Sequence, residues 1–146
     1  MMIRKANPGD AKVLAQLAVQ MWEDADVAEL TQNFEALTEA DEAAVFLLEL
    51  DSQPQGFAQC QLRHDYVEGT ETSPVGYLEG IFVAEGYRRR GYALQLLNAC
   101  EQWAGEKGTC EFASDCELDN LASQAFHQRV GFVEANRIVC YTKKLG

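Results

Sequence analysis

The spacing of apolar positions changes several times along the chain, and each change marks an element. Val13, Leu14, Leu17, Ala18 and Met21 recur at helical spacing, which predicts a first helix ending near Trp22 with one face turned to a core. Before it, Ile3 to Ala6 reads as a short strand. In Asn7-Pro8-Gly9-Asp10 the asparagine can cap a helix whose first position the proline occupies. A second, acidic helix is expected from Val27 to about Leu37. Ala44 to Leu50 is a continuous apolar run, Asp51-Ser52-Gln53-Pro54-Gln55 interrupts it, and Gly56 to Leu62 resumes as strand, a hairpin pattern.

Arg63 to Pro74 follows neither period and reads as a long surface loop, of a length that is usually functional or mobile. Val75 to Val83 is a strand ending in the turn Glu85-Gly86-Tyr87-Arg88-Arg89-Arg90-Gly91. From Tyr92 to Lys107 the residues Ala93, Leu96, Leu97, Cys100, Trp103 and Ala104 share one helical face, and Gly108 closes that helix. Glu111 to Ser114 is a short strand, and Asp119 or Asn120 opens a helix that ends at Gly131-Phe132. Val133 to Lys143, with Ile138, Val139, Cys140 and Tyr141, is expected to supply the last strands. This order predicts a mixed α/β layer arrangement.

Composition narrows the partners. A chain of 146 residues, 47% hydrophobic, supports one domain spanning residues 1–146 with a real core. The excess of 23 acidic over 12 basic residues repels a phosphate backbone and attracts polycationic small molecules, so nucleic acid is excluded as an expected partner. Cys60, Cys100, Cys110, Cys116 and Cys140 are odd in number and contain no Cys-x-x-Cys pair, which reads as free thiols in a reducing, cytoplasmic compartment. No segment reads as a leader or a membrane span, and no metal is expected.

The segment richest in chemistry is the strand from Leu78 to Val83 running into Arg88-Arg89-Arg90-Gly91-Tyr92-Ala93 and a long helix. Unpaired backbone N–H groups and the positive dipole end of a helix, joined by three arginines, suit a pyrophosphate-bearing cofactor. Neither the dinucleotide fingerprint nor the Walker loop is present. The spacing Arg88-x-x-Gly91-x-Ala93 instead resembles the acetyl-CoA pyrophosphate loop of the GNAT acetyltransferase superfamily. Asn120, Ser123, His127, Gly131 and Phe132 are similar to that superfamily's Asn-x-x-Ala helix and Gly-Phe turn. His127 stands where the superfamily often has a tyrosine that protonates the departing thiolate, and an imidazole can donate a proton near neutral pH. A structural role for a histidine near a helix end is the competing reading.

His64-Asp65-Tyr66-Val67-Glu68-Gly69, Leu78-Glu79-Gly80-Ile81-Phe82-Val83, Ala113-Ser114-Asp115 and Trp22 resemble the aminoglycoside 6'-N-acetyltransferases within that superfamily. The resemblance implies a mixed, mostly antiparallel central sheet flanked by helices, a homodimer, and acetyl transfer to the 6'-amine of the antibiotic, giving resistance. It implies acetyl-CoA held by the backbone of Ile81, Phe82 and Val83, by Arg88, Arg89, Arg90, Gly91, Tyr92 and Ala93, and by Asn120. It implies a sugar-binding face of Trp22, Tyr66, Glu79 and Asp115.

These residue types suit the reaction. A protonated amine must be bound, relieved of a proton and aimed at a thioester, and carboxylates can serve all three steps. One of Glu79 and Asp115 is expected to act as general base, directly or through a water, while the other holds charge. Glu79 lies among apolar neighbours, so a cationic ligand is expected to supply its partner. The competing reading of Asp115 is a turn or helix-capping residue. A strand-edge N–H near Ile81 to Val83 can stabilise the oxyanion, and direct attack by the amine leaves Cys116 without a covalent role. Where the resembling enzymes carry a glutamate after Gly-Phe, this chain has Glu134, Ala135 and Asn136, and Asn136 can hydrogen-bond a substrate but not pair its charge. Another amine (a polyamine, a peptide or a metabolite), a non-catalytic acyl-CoA-binding module, and an acidic interaction protein are the alternatives.

Overall fold

A computed structural model describes all of residues 1–146. Its centre is a five-stranded sheet in the order β1 (Met2–Lys5), β2 (Ala43–Leu50), β3 (Gln53–Arg63), β4 (Val75–Val83) and β5 (Phe112–Ser114). The first four strands pair antiparallel and β5 joins β4 in parallel. Helices α1 (Ala11–Ala18) and α2 (Val27–Glu39) lie on one face, and α3 (Tyr92–Glu106) on the other, with α4 (Leu121–Arg129) following β5.

The continuous apolar run of β2 is explained by burial on both faces. Val45 and Leu47 pack with Leu14, Leu17, Leu30 and Phe34 under α1 and α2, while Ala44, Leu48 and Leu50 pack with Leu96, Leu97, Cys100 and Trp103 of α3. The start of the first helix carries the expected cap: the Asn7 side chain accepts from Gly9 N at 2.9 Å and Asp10 closes a capping box. The regular part of α1 ends at Ala18, earlier than the expected end near Trp22, and tight turns carry the chain onward.

One expectation needs correction. Val133 to Gly146 forms no strand, although Val133 to Lys143 was expected to supply the last ones. Ile138, Val139 and Tyr141 are instead 69%, 74% and 88% exposed. Apolar and β-branched residues give a tendency to pair, but a strand forms only where an open ladder receives it. Of the two residues expected to open α4, Asn120 is the cap, its side chain accepting from Ser123 N at 3.1 Å, and Asp115 does not cap the helix.

The long segment between β3 and β4 is an irregular loop, as expected, and it is tied down. Glu111, next to β5, accepts from the backbone N–H groups of Glu71 and Thr72, and the Ser73 hydroxyl donates to the His64 carbonyl at 2.7 Å. The Thr72 hydroxyl and these N–H donors hold the Glu111 carboxyl below its usual range.

Candidate active site

The site begins with an irregularity in β4. Gln59 pairs with Gly80 and Cys60 with Leu78, so Glu79 is an extra residue without an opposite number. Such a bulge re-aims side chains. Leu78 and Ile81 consequently pack in the same layer under α3 although two residues separate them. A Cβ placed on Gly80 would meet the Trp22 ring at 3.1 Å, on the α1/α2 side of the sheet. Glu79 turns to that same side.

There it meets Arg63, the last residue of β3. Arg63 Nε donates to Glu79 Oε2 at 2.9 Å and Nη2 to Oε1 at 2.7 Å. The Arg63 guanidinium lies 3.4 Å above the centre of the Tyr77 ring, a stacking geometry that favours a cation over an aromatic face. Beneath it the Tyr77 hydroxyl donates to Asp115 Oδ2. Glu79 raises the pKa of Arg63 above the ordinary guanidinium value, and burial followed by Asp115 raises that of Tyr77. Arg63, Tyr77, Glu79 and Asp115 thus form one connected cluster. Its one guanidinium set against two carboxylates leaves a single uncompensated negative charge.

This arrangement alters one expectation. Glu79, whose side chain is 17% exposed, is not left unpaired for a ligand, because Arg63 already partners it. Arg63 and Tyr77 were not among the expected site residues. Period-two alternation places Tyr77 on the Glu79 face, but pairing across 16 and 38 residues of sequence leaves no local signature.

On the opposite face, one residue before Asp115, Ser114 Oγ lies 2.8 Å from His127 Nε2. His127 Nδ1 donates to the Ser123 carbonyl at 2.7 Å, since a carbonyl can only accept, and this fixes Nε2 toward Ser114. Ladder pairing between β4 and β5 stops at Leu78 and Ser114. The two strands part there, and the β4 edge from Glu79 to Val83 has no second strand beside it. Ser114 therefore stands at the fork, with the carboxylate cluster on one side and His127 on the other.

Beyond the fork, Phe82 and Val83 are buried and Ile81 half-buried, which leaves their contribution to a ligand to the backbone. Gly91 caps α3 in the left-handed conformation, at φ 83°, and no side chain bonds to the first-turn N–H groups of Tyr92 and Ala93. That terminus is open to an anion. Arg88 is committed differently: its Nε donates to the Val83 carbonyl at 2.8 Å and its guanidinium lies over Phe82. Arg89, at φ 65°, and Arg90, over Tyr87, are exposed beside the open terminus.

The sugar-binding candidates are distributed unevenly. Trp22 packs edge-on against Phe57, with ring centres 6.3 Å apart, and lines a groove of about 420 Å³ with Leu30, Asn33, Phe34, Leu37 and Gln59. Tyr66 projects from the loop, 76% exposed and away from the charged cluster's hydrogen bonds. Asn136 donates to Glu68 Oε1 at 2.8 Å, joining the C-terminal segment to that loop. All five cysteines are free, and no group of three or more His, Cys, Asp or Glu side chains is placed to hold a metal ion.

The model of the acetyltransferase (GNAT) family matches residues 12–132. An aminoglycoside N(6')-acetyltransferase type 1 from Stenotrophomonas maltophilia is 41% identical over 145 residues, covering 98% of this chain and 93% of the relative. A protein of the same name from Salmonella enteritidis is 40% identical over 146 residues, covering 97% and 98%. The solved structure of AAC(6')-Iy in complex with the bisubstrate analogue CoA-S-monomethyl-acetylneamine, 38% identical, superposes with a TM-score of 0.94 over 99% of this chain and 98% of that one. With a family match spanning most of its length and such relatives along all of it, the chain belongs to the GNAT acetyltransferase family.

Proposed function

We propose that this chain transfers the acetyl group of acetyl-CoA to the 6'-amine of aminoglycosides by direct attack of the amine. The observation that carries the reading is the fork between β4 and β5, which has a carboxylate cluster with one spare negative charge on one side and an open, arginine-flanked helix terminus beyond it. A polycationic substrate is drawn to a chain of net charge -11 and finds its local charge deficit at Glu79 and Asp115. The N–H groups of Tyr92 and Ala93, with Arg89 and Arg90, suit the CoA diphosphate. Asn120 caps α4 through its oxygen, which leaves its amide N–H groups for the pantetheine arm.

In the reaction, the bound ammonium gives a proton to Glu79 or Asp115, directly or through a water, and the free amine forms a C–N bond to the thioester carbon. The β4 edge at Ile81 to Val83 offers N–H groups to the oxygen on which charge develops. As the C–S bond breaks, the nitrogen gives up its second proton to water and the thiolate takes a proton from the Ser114 hydroxyl, which is resupplied from Nε2 of the protonated His127 ring, leaving that ring neutral. Trp22 supplies an aromatic wall for a sugar ring, while Tyr66 and Asn136 close over the substrate from the loop and the C-terminal segment.

The experiment is thiol release from acetyl-CoA with aminoglycosides that carry or lack a 6'-amine, with spermidine and a lysine peptide alongside. Turnover confined to the 6'-amino compounds supports the reading, and equal turnover of spermidine or the peptide overturns it.

A homodimer in the cytoplasm completes the proposal. The exposed Ile138, Val139, Tyr141 and Leu145 form apolar surface that a second copy can cover, and free thiols suit a reducing compartment. Light scattering of the full chain and of a chain ending at Phe132 tests the dimer: a dimer for the first and a monomer for the second supports it.

A further inference from the structure

Asp115 lies just past β5, where the ladder to β4 has ended, and the backbone does little to aim its side chain. The Tyr77 hydroxyl supplies the missing constraint by donating to Asp115 Oδ2. That phenol is itself immobile: Tyr77 is 5% exposed in the middle of β4, and Arg63 covers its ring at 3.4 Å. Arg63 cannot swing aside without giving up both of its bonds to Glu79.

We propose that Tyr77 is a positioning residue, whose hydroxyl occupies one oxygen of Asp115 and thereby aims the other, Oδ1, at the substrate ammonium. This rests on the reading of Asp115 as an amine-binding carboxylate. Raised above its ordinary value of 10.0 by burial and by Asp115, the phenol stays protonated and remains a donor across the range in which the enzyme works. A hydroxyl that merely satisfied a buried tyrosine would contribute to stability and leave substrate recognition untouched. Here its partner is an exposed carboxylate next to a strand end, so the effect of losing it falls on the carboxylate's direction.

The test compares the parent enzyme with Tyr77→Phe, Asp115→Asn and the double variant. Tyr77→Phe keeps the ring under Arg63. The KM for tobramycin is expected to rise roughly 10- to 150-fold, the range of one charge-assisted hydrogen bond, with the KM for acetyl-CoA and the melting temperature unchanged. In the Asp115→Asn background the same change is expected to add nothing, because the residue acts through Asp115. Binding of an analogue with a 6'-hydroxyl in place of the amine, measured by calorimetry, is expected to be insensitive to Tyr77→Phe. Multiplicative losses in the double variant, or equal weakening of the amine and hydroxyl ligands, would overturn the proposal. A silent Asp115→Asn also overturns it, and that result alone traces the failure to the reading of Asp115.

Discussion

Arg63 grips Glu79 side-on, each nitrogen of the fork bonded to its own carboxylate oxygen at 2.7 and 2.9 Å. The guanidinium therefore competes with any incoming ammonium for the charge of Glu79 while holding that carboxylate still. Two effects of removing it oppose each other. Losing the positive charge leaves more negative charge for a polycation, worth about 1 to 4 kcal/mol for a pair 4 Å apart in surroundings between water and protein surface. Losing the fork leaves Glu79 free to wander.

For Arg63→Gln we expect the first effect in binding and the second in turnover. The KM for the aminoglycoside stays level or falls, and kcat drops roughly tenfold or more, the pattern of an interaction needed for geometry rather than affinity. Steady-state kinetics checks this, and a raised KM with an unchanged kcat contradicts it.

Much of the scaffold was readable beforehand because its signals are local. The apolar stretch between Pro74 and the arginine turn gave β4 its observed limits, Val75–Val83, and Gly108, at φ 94°, closes α3 as a left-handed terminus should. The carboxylates Glu79 and Asp115 were recognisable as residue types. What pairs with them was not, since Arg63 and Tyr77 reach them across the sheet through side chains brought together by register and a bulge. The C-terminal segment failed for the related reason that Ile138 to Tyr141 have strand composition, whereas strand formation depends on an edge elsewhere.

Gly91, the left-handed cap of α3, allows the proposed cofactor terminus to be tested apart from the carboxylate cluster. A Cβ there meets nothing within 4 Å, so Gly91→Ala introduces no clash, only the cost of holding an alanine at φ 83°, about 1 to 2 kcal/mol. The turn is expected to relax and rotate the Tyr92 and Ala93 N–H groups. The KM for acetyl-CoA should rise roughly 3- to 10-fold, within the value of one or two hydrogen bonds to an anion, while the aminoglycoside KM stays constant. A change in the aminoglycoside KM alone would contradict the assignment.

Asp10 gives a stability prediction with a defined pH window. Arg4 donates to both its oxygens, at 2.8 and 2.9 Å, and with the Asn7 N–H lowers its pKa below the ordinary 3.8. A carboxyl with a depressed folded-state value contributes stability that is present above 3.8 and lost as pH falls through the folded value. Asp10→Asn should thus cost about 1 to 3 kcal/mol in urea unfolding at pH 7 and progressively less below pH about 4. A cost that is the same at pH 7 and pH 3 would contradict the ionic origin.

Ser114 and His127 are joined at 2.8 Å, and the Ser123 carbonyl, by fixing the proton on Nδ1, determines which way that bond runs. With a neutral ring, Nε2 can only accept, so the Ser114 hydroxyl points at the histidine and not into the fork. Protonating the ring reverses the bond: Nε2 donates to Ser114, whose own hydrogen is released toward the departing thiolate. A relay of this kind acts in turnover and not in binding. Ser114→Ala and His127→Gln should each lower kcat by about 10²-fold, leave both KM values within twofold, and lose no more in combination than singly. Single-turnover rates are the direct measurement, since slow product release can mask the chemical step in kcat. If the two losses multiply, the residues act independently and the imidazole has no route to the sulfur through the serine.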